Sequence, residues 1–406
     1  MAVSVWSCTD SKTTDGVKVE SNVIDVPAAI AQTQQLTVSD LGNISYVPLE
    51  TTDSSLLHND FNFKATPTHL LVSTGNRCLM FDKKTRKYLG DVSRRGQGPE
   101  EYNTPNPGLQ SDGSKMYFYR RFPDAHGAVV YNEDREYIGS VHPGSVMGSG
   151  NYFVVDTVMF APIFHSNLKC DFFLGVSRSG LHQSKPDSII RMPFGEKTYD
   201  SWDACAIKDV AGVMPKSDIL IHHMTGFGGT DYNDYVAVTR SPRMFYQYGD
   251  KFGFKYPMVD TVDRVTPDGM DVHYVFNTGE GGVNLFNIPA NGGVHSDNLI
   301  MADVYETPDQ LIFCSSVGFL KEDGSKPYIS LLDKKSGTEG ENGFVDDQTG
   351  FMPFFPIATD AQGNYLTYLT MDEIAKYVEE HPDVKLPEAI ANLPEDANPV
   401  IVIVGK

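Results

Sequence analysis

The sequence contains none of the short motifs that mark common catalytic and metal sites. It has no G-x-S-x-G nucleophile turn, no H-E-x-x-H zinc motif and no complete phosphate-binding glycine loop, so no segment points to a specific reaction. Cysteine is scarce and never has C-x-x-C spacing, which argues against a zinc or thioredoxin-like site. The cysteines are Cys8, Cys78, Cys170, Cys205 and Cys314. Apart from Cys8, they can form two disulfides in an oxidising compartment or remain buried free thiols.

Positive charge is in short supply: 33 Lys and Arg residues face 53 Asp and Glu residues, which gives a net charge of −20. A field of that sign repels phosphate backbones, and it weakens docking on anionic membranes through basic patches. We therefore expect no nucleic-acid partner. Cationic ligands and divalent metals are compatible with the charge, although solubility alone explains it. We predict no cofactor, with calcium as the one candidate metal.

Long apolar runs are also missing. None reaches the roughly 20 residues of a spanning helix, so we expect contact with a membrane only through a lipid anchor. The start, A-V-S-V-W-S-C over Ala2–Cys8, resembles the end of a bacterial lipoprotein signal, although it lacks a basic start and a full apolar region. Residues 1–8 are then a signal-peptide remnant, Cys8 is the acylated residue, and polar residues 9–37 form a flexible tether. The alternative is a cytosolic protein with a frayed N-terminus.

Aromatic residues and turn formers are abundant, with 23 Phe, 20 Tyr, 36 Gly and 24 Pro. This combination favours an all-β fold. The segment 81–102, F-D-K-K-T-R-K-Y-L-G-D-V-S-R-R-G-Q-G-P-E-E-Y, predicts a hairpin followed by a glycine-proline bend. The hairpin pattern returns about 50 residues later around Val130 and once more at Leu331, and this spacing is typical of propeller blades.

These patterns predict a six-bladed β-propeller of antiparallel sheets over residues 38–406, with about 60 residues per blade and long loops. A small helical insert is expected at about 371–393, because Thr370 can cap a helix over Met371–Glu380 and a shorter helix follows. The run Val400–Val404 is typical of a strand buried on both faces. We expect it to pair with N-terminal strands and to close the ring.

Several of these segments together resemble the six-bladed β-propeller lipoproteins of Bacteroides-type bacteria. They are the first strand from Ile44 to Glu50, the Phe81 hairpin, the R-R-G-Q-G-P-E-E-Y run from Arg94, the segment 344–356, and the N-P-V-I-V end from Asn398. The chain departs from that family with Arg86 where a turn glycine is usual and with Glu100 where the loop usually has another glycine. The resemblance implies a lipid-anchored protein of the bacterial cell envelope, periplasmic or surface-exposed, more than it implies an activity.

The run from Arg94 is the strongest candidate for a ligand site, because it is not repeated elsewhere and gathers charged and amide side chains on a glycine bend. If the run lies at the channel mouth, the planar donors of Arg95 and Gln97 suit a carboxylate or a sugar. The alternative is structural, with glycines that permit unusual φ angles and an Arg95–Glu101 ion pair that links blades. The candidate ligand-binding residues are Arg94, Arg95, Gln97, Glu100, Glu101 and Tyr102.

Other groups are weaker candidates. Asp231–Asp234 and Asp346–Asp347 offer oxygen ligands for calcium, but neither has the order of a calcium loop, and turn or capping roles fit better. His222 and His223 are consecutive in a predicted strand and so point to opposite faces. The glycine-rich segments at 226–229 and 279–282 complete no phosphate-binding motif, and we interpret them as loops.

We therefore predict a non-catalytic binding or scaffold propeller of the cell envelope that contacts a glycan, a peptide or an envelope protein. The alternative is a hydrolase or lyase that acts on a carbohydrate, ester or lactone at the channel mouth, for which the fold offers only analogy. A sensor domain is a third, weaker hypothesis.

Overall fold

The structure is a computed structural model in which strands dominate and helices are few, as the sequence predicts. It describes residues 19–20, 22–31, 34–57, 61–121, 126–141, 153–156, 158–164, 172–177, 188–191, 206–208, 219–225, 233–239, 245–255, 259–282, 299–318, 326–332 and 343–406.

The strands of the described residues are short and follow one another through turns and loops. In chain order they are β1 (Val19–Glu20), β2 (Val23–Asp25), β3 (Asn43–Pro48), β4 (Phe61–Ala65), β5 (His69–Thr74), β6 (Arg77–Asp82), β7 (Tyr88–Asp91), β8 (Gly108–Gln110), β9 (Lys115–Arg121), β10 (His126–Asn132), β11 (Tyr137–Val141), β12 (Phe153–Val155), β13 (Val158–Phe164), β14 (Phe172–Ser177), β15 (Ser188–Arg191), β16 (Ala206–Lys208), β17 (Ile219–Thr225), β18 (Asn233–Thr239), β19 (Phe245–Tyr248), β20 (Lys251–Phe254), β21 (Thr261–Thr266), β22 (Gly269–Asn277), β23 (Leu299–Glu306), β24 (Leu311–Val317), β25 (Lys326–Leu331), β26 (Ala358–Thr359), β27 (Tyr365–Leu369) and β28 (Val400–Gly405).

The described helices are α1 (Val26–Ile30), α2 (Met371–Glu380) and α3 (Glu388–Ala391), with one 3-10 turn at Val38–Asp40. The predicted insert is therefore confirmed. Thr370 caps α2 in a capping box: its hydroxyl accepts from the Glu373 backbone N–H at 3.2 Å, and the Glu373 carboxylate accepts from the Thr370 backbone N–H at 2.8 Å. In the described part of the chain, no helix combines the length and the apolar character that crossing a membrane requires.

The strands form a propeller arrangement of small antiparallel sheets. Five four-stranded units in the described chain have the form of a blade. We number them blade 1 (β4–β7), blade 2 (β8–β11), blade 3 (β12–β15), blade 4 (β19–β22) and blade 5 (β26–β28 with β3). Two further sheets, β16–β18 and β23–β25, have three strands each among the described residues. β8 pairs with β12 in parallel, so the first strands of blades 2 and 3 approach each other, as inner strands of neighbouring blades do.

The predicted number of blades is therefore wrong: the described residues form five four-stranded blades where the sequence predicted six. The prediction divided the chain into blades of equal length. The strands are spaced unevenly instead, because blade 1 fits within residues 61–91, whereas blade 5 takes its strands from residues 43–48 and 358–405.

The two hairpins that share a sequence pattern also share their backbone geometry. Phe81 pairs with Tyr88 in blade 1, and Tyr131 pairs with Tyr137 in blade 2, with a register shift at the same place in each hairpin. Arg86 and its counterpart Arg135 have φ angles of 68° and 66°, in the left-handed region that favours glycine. The repeat in the sequence is thus a repeat in the fold, although the turn that contains Arg86 is one residue longer than the turn that contains Arg135.

The C-terminal strand closes the arrangement as predicted. β28 lies between β27 and β3 and is antiparallel to both, so the two ends of the domain complete one blade. Val400, Val402 and Val404 pack into one apolar cluster and Ile401 into another, and each is at most 2 % exposed. The predicted burial on both faces is confirmed.

Residues 22–31 correct the predicted extent of the flexible tether. β2 pairs in parallel with β22 at the outer edge of blade 4, and α1 follows it directly. Ile24, Val26 and Ala29 are fully buried. The polar residues on either side of this segment hid its short apolar pattern in the sequence. Cys8 and the segment up to residue 18 lie outside the described residues.

Candidate functional site

The segment Arg94–Tyr102, which we call the polar loop, joins blade 1 to blade 2 between β7 and β8. Its two ends run side by side, because the Gly96 N–H donates to the Tyr102 carbonyl at 3.0 Å and the Tyr102 N–H donates to the Arg94 carbonyl at 3.2 Å. Inside the loop, the Glu101 N–H donates to the Gly98 carbonyl at 3.1 Å. The polar loop is therefore closed on itself by backbone hydrogen bonds.

Tyr102 anchors the polar loop between the two blades. Its ring is fully buried and stacks on Phe118 of β9, with centroids 4.7 Å apart, while its hydroxyl accepts from the Cys78 backbone N–H of β6 at 3.1 Å. Burial raises the pKa of the Tyr102 hydroxyl, which stays neutral. Tyr102 is thus a structural residue and presents no surface to a ligand.

Arg120 of β9 holds the polar loop from the side of blade 2. Its guanidinium donates to the carbonyls of Gln97 at 3.2 Å and Glu101 at 3.1 Å, and also to the carbonyl of Gly98. One planar group thus occupies three carbonyl acceptors of the bend. The fork geometry of arginine suits this role, which a lysine cannot fill.

The carbonyl of Glu100 is fixed in the same way. It accepts from the Ser93 hydroxyl at 3.1 Å and from the hydroxyl of Tyr131 in β10. Contacts from both blades therefore hold the backbone at this position, while the Glu100 side chain itself is exposed.

The ion pair in the polar loop is not the predicted one. The Glu101 carboxylate accepts from the Gly98 N–H at 2.7 Å and pairs with Arg94, whereas Arg95 donates to the amide oxygen of Asn76 at 2.6 Å. The Gly98 N–H, followed by the Arg94 guanidinium, lowers the pKa of Glu101. The sequence could not choose between adjacent arginines, because the bend of the loop decides which one returns toward the carboxylate.

Gly96 is required by this carboxylate. A Cβ atom at Gly96 would lie 1.9 Å from an oxygen of the Glu101 carboxylate, which is far inside contact distance. A glycine here therefore allows Glu101 to fold back under the loop. The predicted structural role of the glycines is supported by this close approach.

The six candidate residues thus divide into two groups. Tyr102 and Glu101 are engaged inside the protein, and Arg94 is taken up by its ion pair with Glu101. The side chains of Arg95, Gln97 and Glu100 are exposed on a loop whose backbone is fixed from both sides, and the Arg94 side chain is 82% exposed although it pairs with Glu101. The exposed side chains of the loop therefore include two cations, one amide and one anion.

A lysine that the sequence did not reveal lies at the inner end of the same blade junction. Lys64 of β4 donates to the Pro107 carbonyl at 2.6 Å, just before β8 begins. Burial lowers the pKa of Lys64 to about 8. We did not predict β4 because Asn62 and Lys64 interrupt its apolar residues. The alternation of these polar residues with Phe61 and Phe63 was nevertheless the signal of a strand with one polar face.

Comparisons with known proteins agree with this architecture. The family described as "Domain of unknown function (DUF4934)" matches residues 21–405, nearly the whole chain. The chain belongs to the DUF4934 family. No curated protein matches it in sequence.

Solved structures show what this DUF4934 chain is similar to in fold. A protein of Bacteroides fragilis described as a "Putative exported protein" superposes with a TM-score of 0.61 at 16% identity, over 92% of this chain and 97% of the other. A DUF4221 member from Bacteroides vulgatus gives 0.42 at 8% identity, over 90% and 96%. The β-propeller domain of Cps50 (Swd1) from the fungus Myceliophthora thermophila gives 0.30 at 9% identity, over 72% and 88%. The last two similarities are too loose to support an argument, and the first shows the fold alone.

The calcium candidates Asp346 and Asp347 of this DUF4934 chain are turn residues, whereas Asp234 lies in strand β18. Asp346 accepts from the Thr349 N–H at 2.9 Å and from the Tyr46 hydroxyl at 2.8 Å, and Asp347 accepts from the Ser39 N–H at 3.0 Å. The predicted turn role is therefore confirmed for Asp346–Asp347. Within the described ranges, no group of three or more His, Cys, Asp or Glu residues is placed to hold a metal ion. Asp231 lies outside those ranges.

The remaining sequence candidates are only partly described. Cys78 and Cys314 are buried free thiols, which decides between the two predicted states for these cysteines. Cys170 and Cys205 lie outside the described residues, as does the glycine-rich segment 226–229. His222 and His223 are in β17, but their side chains are likewise outside the description.

One further polar cluster was not found from the sequence. Glu306 at the end of β23 is 4% exposed and accepts from the Tyr246 hydroxyl at 2.9 Å and the Tyr274 hydroxyl at 3.3 Å. The Nε2 atom of His273, the extra residue of a β-bulge in β22, lies 2.9 Å from Glu306 Oε1. Tyr248 stacks on the His273 ring. The only signal was a histidine among aromatic residues in a strand, which is too common to single out.

Proposed function

We propose that this chain is an exported, non-catalytic binding propeller whose polar loop recognises an anionic group on a glycan, peptide or envelope protein. The proposal rests on the difference between the internally bonded groups of the loop and its exposed side chains. Its backbone carbonyls and Glu101 are engaged internally, whereas Arg95, Gln97 and Glu100 are exposed. A surface whose backbone is ordered before binding loses little entropy when a ligand arrives.

The chemistry of the exposed side chains favours a carboxylate beside hydrogen-bonding groups. Arg95 supplies a planar cationic donor, and the Gln97 amide can donate and accept. Glu100 repels a second negative charge nearby, which selects against densely anionic ligands such as nucleic acids. The net charge of −20 acts in the same direction.

An array of acidic and neutral oligosaccharides and peptides tests the proposal with labelled protein. The variant Arg95→Ala/Gln97→Ala should bind the best ligand at least about tenfold more weakly than the wild type, which corresponds to about 1.4 kcal/mol. Lys376→Ala is the matched control, since Lys376 is an exposed cation on α2, away from the loop. Equal binding by the loop variant and the control would contradict the proposal.

We also propose that Cys8 carries a lipid that anchors the protein in the bacterial envelope, with a tether that ends before β1. The lipoprotein-like start supports this, as does the exported description of the Bacteroides fragilis protein with the same fold. Metabolic labelling with an alkyne fatty acid, on protein expressed from its own gene, should label the wild type and Cys78→Ala but not Cys8→Ala. A label that persists in Cys8→Ala would exclude the anchor.

A hydrolase or lyase is the second candidate, and the His273–Glu306 pair is what favours it. A buried carboxylate that orients an imidazole is the arrangement of many general bases. If this function is correct, purified protein will turn over a member of a panel of glycans, esters and lactones, and His273→Gln will abolish the turnover. Turnover that His273→Gln leaves unchanged would rule out this pair.

A further inference from the structure

Lys64 lies at the junction between blade 1 and blade 2. It lies on β4, the first strand of blade 1, and the parallel pair of β8 and β12 shows that first strands are the inner strands of neighbouring blades. Along β4, Phe61 and Phe63 pack into the cluster shared with β28, so Asn62 and Lys64 are on the opposite face, toward blade 2. Lys64 is therefore at the inner end of the junction that the polar loop covers.

The ammonium group of Lys64, whose side chain is partly buried, has few compensating partners among the described residues. It can donate three hydrogen bonds, and its partner is the carbonyl of Pro107 at 2.6 Å. Among the described residues, the only titratable group that acts on it is the thiol of Cys78 on β6, which burial keeps neutral by raising its pKa to about 12. Native proteins usually pair buried charges, and an unpaired one lowers stability.

The segment that provides the Lys64 partner also contains orphaned polar atoms. Residues 103–107 run from the polar loop to β8. Within them, the hydroxyl oxygen of Thr104 and the amide oxygen of Asn106 are buried and have no hydrogen-bond partner among the described residues. The carbonyls of the same segment accept from Lys64 and, at Pro105, from the Ser73 hydroxyl at 2.8 Å. Buried polar atoms normally find partners, so two of them in the segment whose carbonyl accepts from Lys64 call for an explanation.

We propose that Lys64, Thr104 and Asn106 form a binding site for a carboxylate that has a hydroxyl or amide donor beside it. The carboxylate accepts from the Lys64 ammonium, and the neighbouring donor group serves the Thr104 and Asn106 oxygens. Acidic sugars and the C-terminal residue of a peptide share this chemistry. The site deepens the proposed function, on which it rests, because it continues the polar loop toward the inner strands and names the group that is recognised.

Calorimetry on the whole chain tests the site with two acid probes and their uncharged counterparts. The probes are trigalacturonic acid and an N-acetylated tripeptide with a free C-terminus, and each is compared with its methyl ester. One acid should bind at least about tenfold more tightly than its ester, and the probe that does so identifies the source of the carboxylate. Failure of both acids to bind overturns the proposal.

The decisive variant is Lys64→Met, which removes the charge and keeps the length of the side chain. It should bind the preferred acid at least about tenfold more weakly, while its Tm at pH 7 stays equal to that of the wild type or rises, because a partly buried charge with one hydrogen-bond partner is gone. Lys376→Met should leave both quantities unchanged. A folded Lys64→Met protein with wild-type affinity would overturn the proposal.

The pH dependence of binding gives a second readout. An anion favours the charged form of Lys64, and that form is lost as the pH rises through about 8. Affinity of the wild type should therefore be at least about tenfold weaker at pH 9.5 than at pH 7, and Lys64→Met should show no such change. If Arg95→Ala/Gln97→Ala weakens ligand binding and Lys64→Met does not, the proposed function survives and the Lys64 site fails.

Discussion

The closing strand β28 joins the two ends of the domain, and the polar loop joins two neighbouring blades, but different forces hold them in place. β28 is apolar on both faces, and its register with β27 and β3 is fixed by a continuous backbone ladder. The polar loop buries one large ring, that of Tyr102, and is otherwise held by hydrogen bonds, three of them from Arg120 and one each from Ser93 and Tyr131. The stability of β28 comes from the apolar area that it buries. The conformation of the polar loop is defined by directional hydrogen bonds.

This difference separates stability from recognition in the molecule. Burial of β-branched side chains is strong and tolerant of small shifts, so it suits the closure of a ring. Hydrogen bonds to fixed carbonyls contribute less free energy but define positions within a few tenths of an ångström. A loop fixed in this way can leave Arg95, Gln97 and Glu100 exposed without becoming loose.

The largest effect is expected from Ile401→Ala in β28. Ile401 is fully buried, and its loss should lower the free energy of unfolding by about 2–5 kcal/mol. Ile403→Ala, at a partly buried position of the same strand, should lower it by less than half as much. Chemical denaturation of both variants measures the difference, and equal losses would show that β28 is not packed as described.

A smaller effect is expected from Gly96→Ala in the polar loop. The new Cβ would displace the Glu101 carboxylate from its contact with the Gly98 N–H, which should lower the free energy of unfolding by about 1–2 kcal/mol. Gly98→Ala should cost less, because its Cβ would lie 3.0 Å from the Glu101 side chain. A Gly96→Ala protein with wild-type stability would show that Glu101 does not fold back under the loop.

The smallest effect is expected from Glu101→Gln, and it depends on pH. The Gly98 N–H and Arg94 lower the pKa of Glu101 in the folded state, so its contribution is present above the unfolded pKa and is lost as the pH falls through the folded value. The Tm difference between wild type and Glu101→Gln should therefore shrink as the pH falls from 6 to 3. Glu379→Gln, on the exposed face of α2, should show no such trend. A Tm difference that stays constant over this range would rule out the ionised contact.

The same contrast explains which parts of the structure could be predicted from the sequence. Sequence patterns predicted the repeated hairpins and β28 with its N-terminal partner β3, because these depend on residue type and local spacing. The Thr370 cap and the acidic first turn predicted α2. The predicted number of blades was wrong, because the number depends on uneven loop lengths, which no local sequence pattern indicates. The elements β2 and α1 were not predicted, because their few apolar residues form no local pattern and are buried only through the pairing of β2 with β22.

The sequence predicted which segment contains the candidate site, but it did not predict how the side chains of that segment are arranged. The sequence indicated that residues 94–102 are unusual, and the structure shows that two of the six candidates, Glu101 and Tyr102, are engaged internally, while Arg94 forms an ion pair at the surface. Which arginine pairs with Glu101, and that Arg120 holds the loop from the next blade, are long-range facts. Lys64 was invisible for the same reason, because a lysine becomes unusual only when its surroundings are known to be buried.

The most direct test of the account is amide hydrogen exchange across the polar loop in the free protein. The hydrogen bonds described here predict that the amides of Gly96, Gly98, Glu101 and Tyr102 exchange slowly, at rates approaching those of the β28 ladder. Arg120→Met should speed their exchange while leaving the β28 amides unchanged. Fast exchange at these four amides in the wild type, with β28 protected, would contradict a loop that is ordered before its ligand binds.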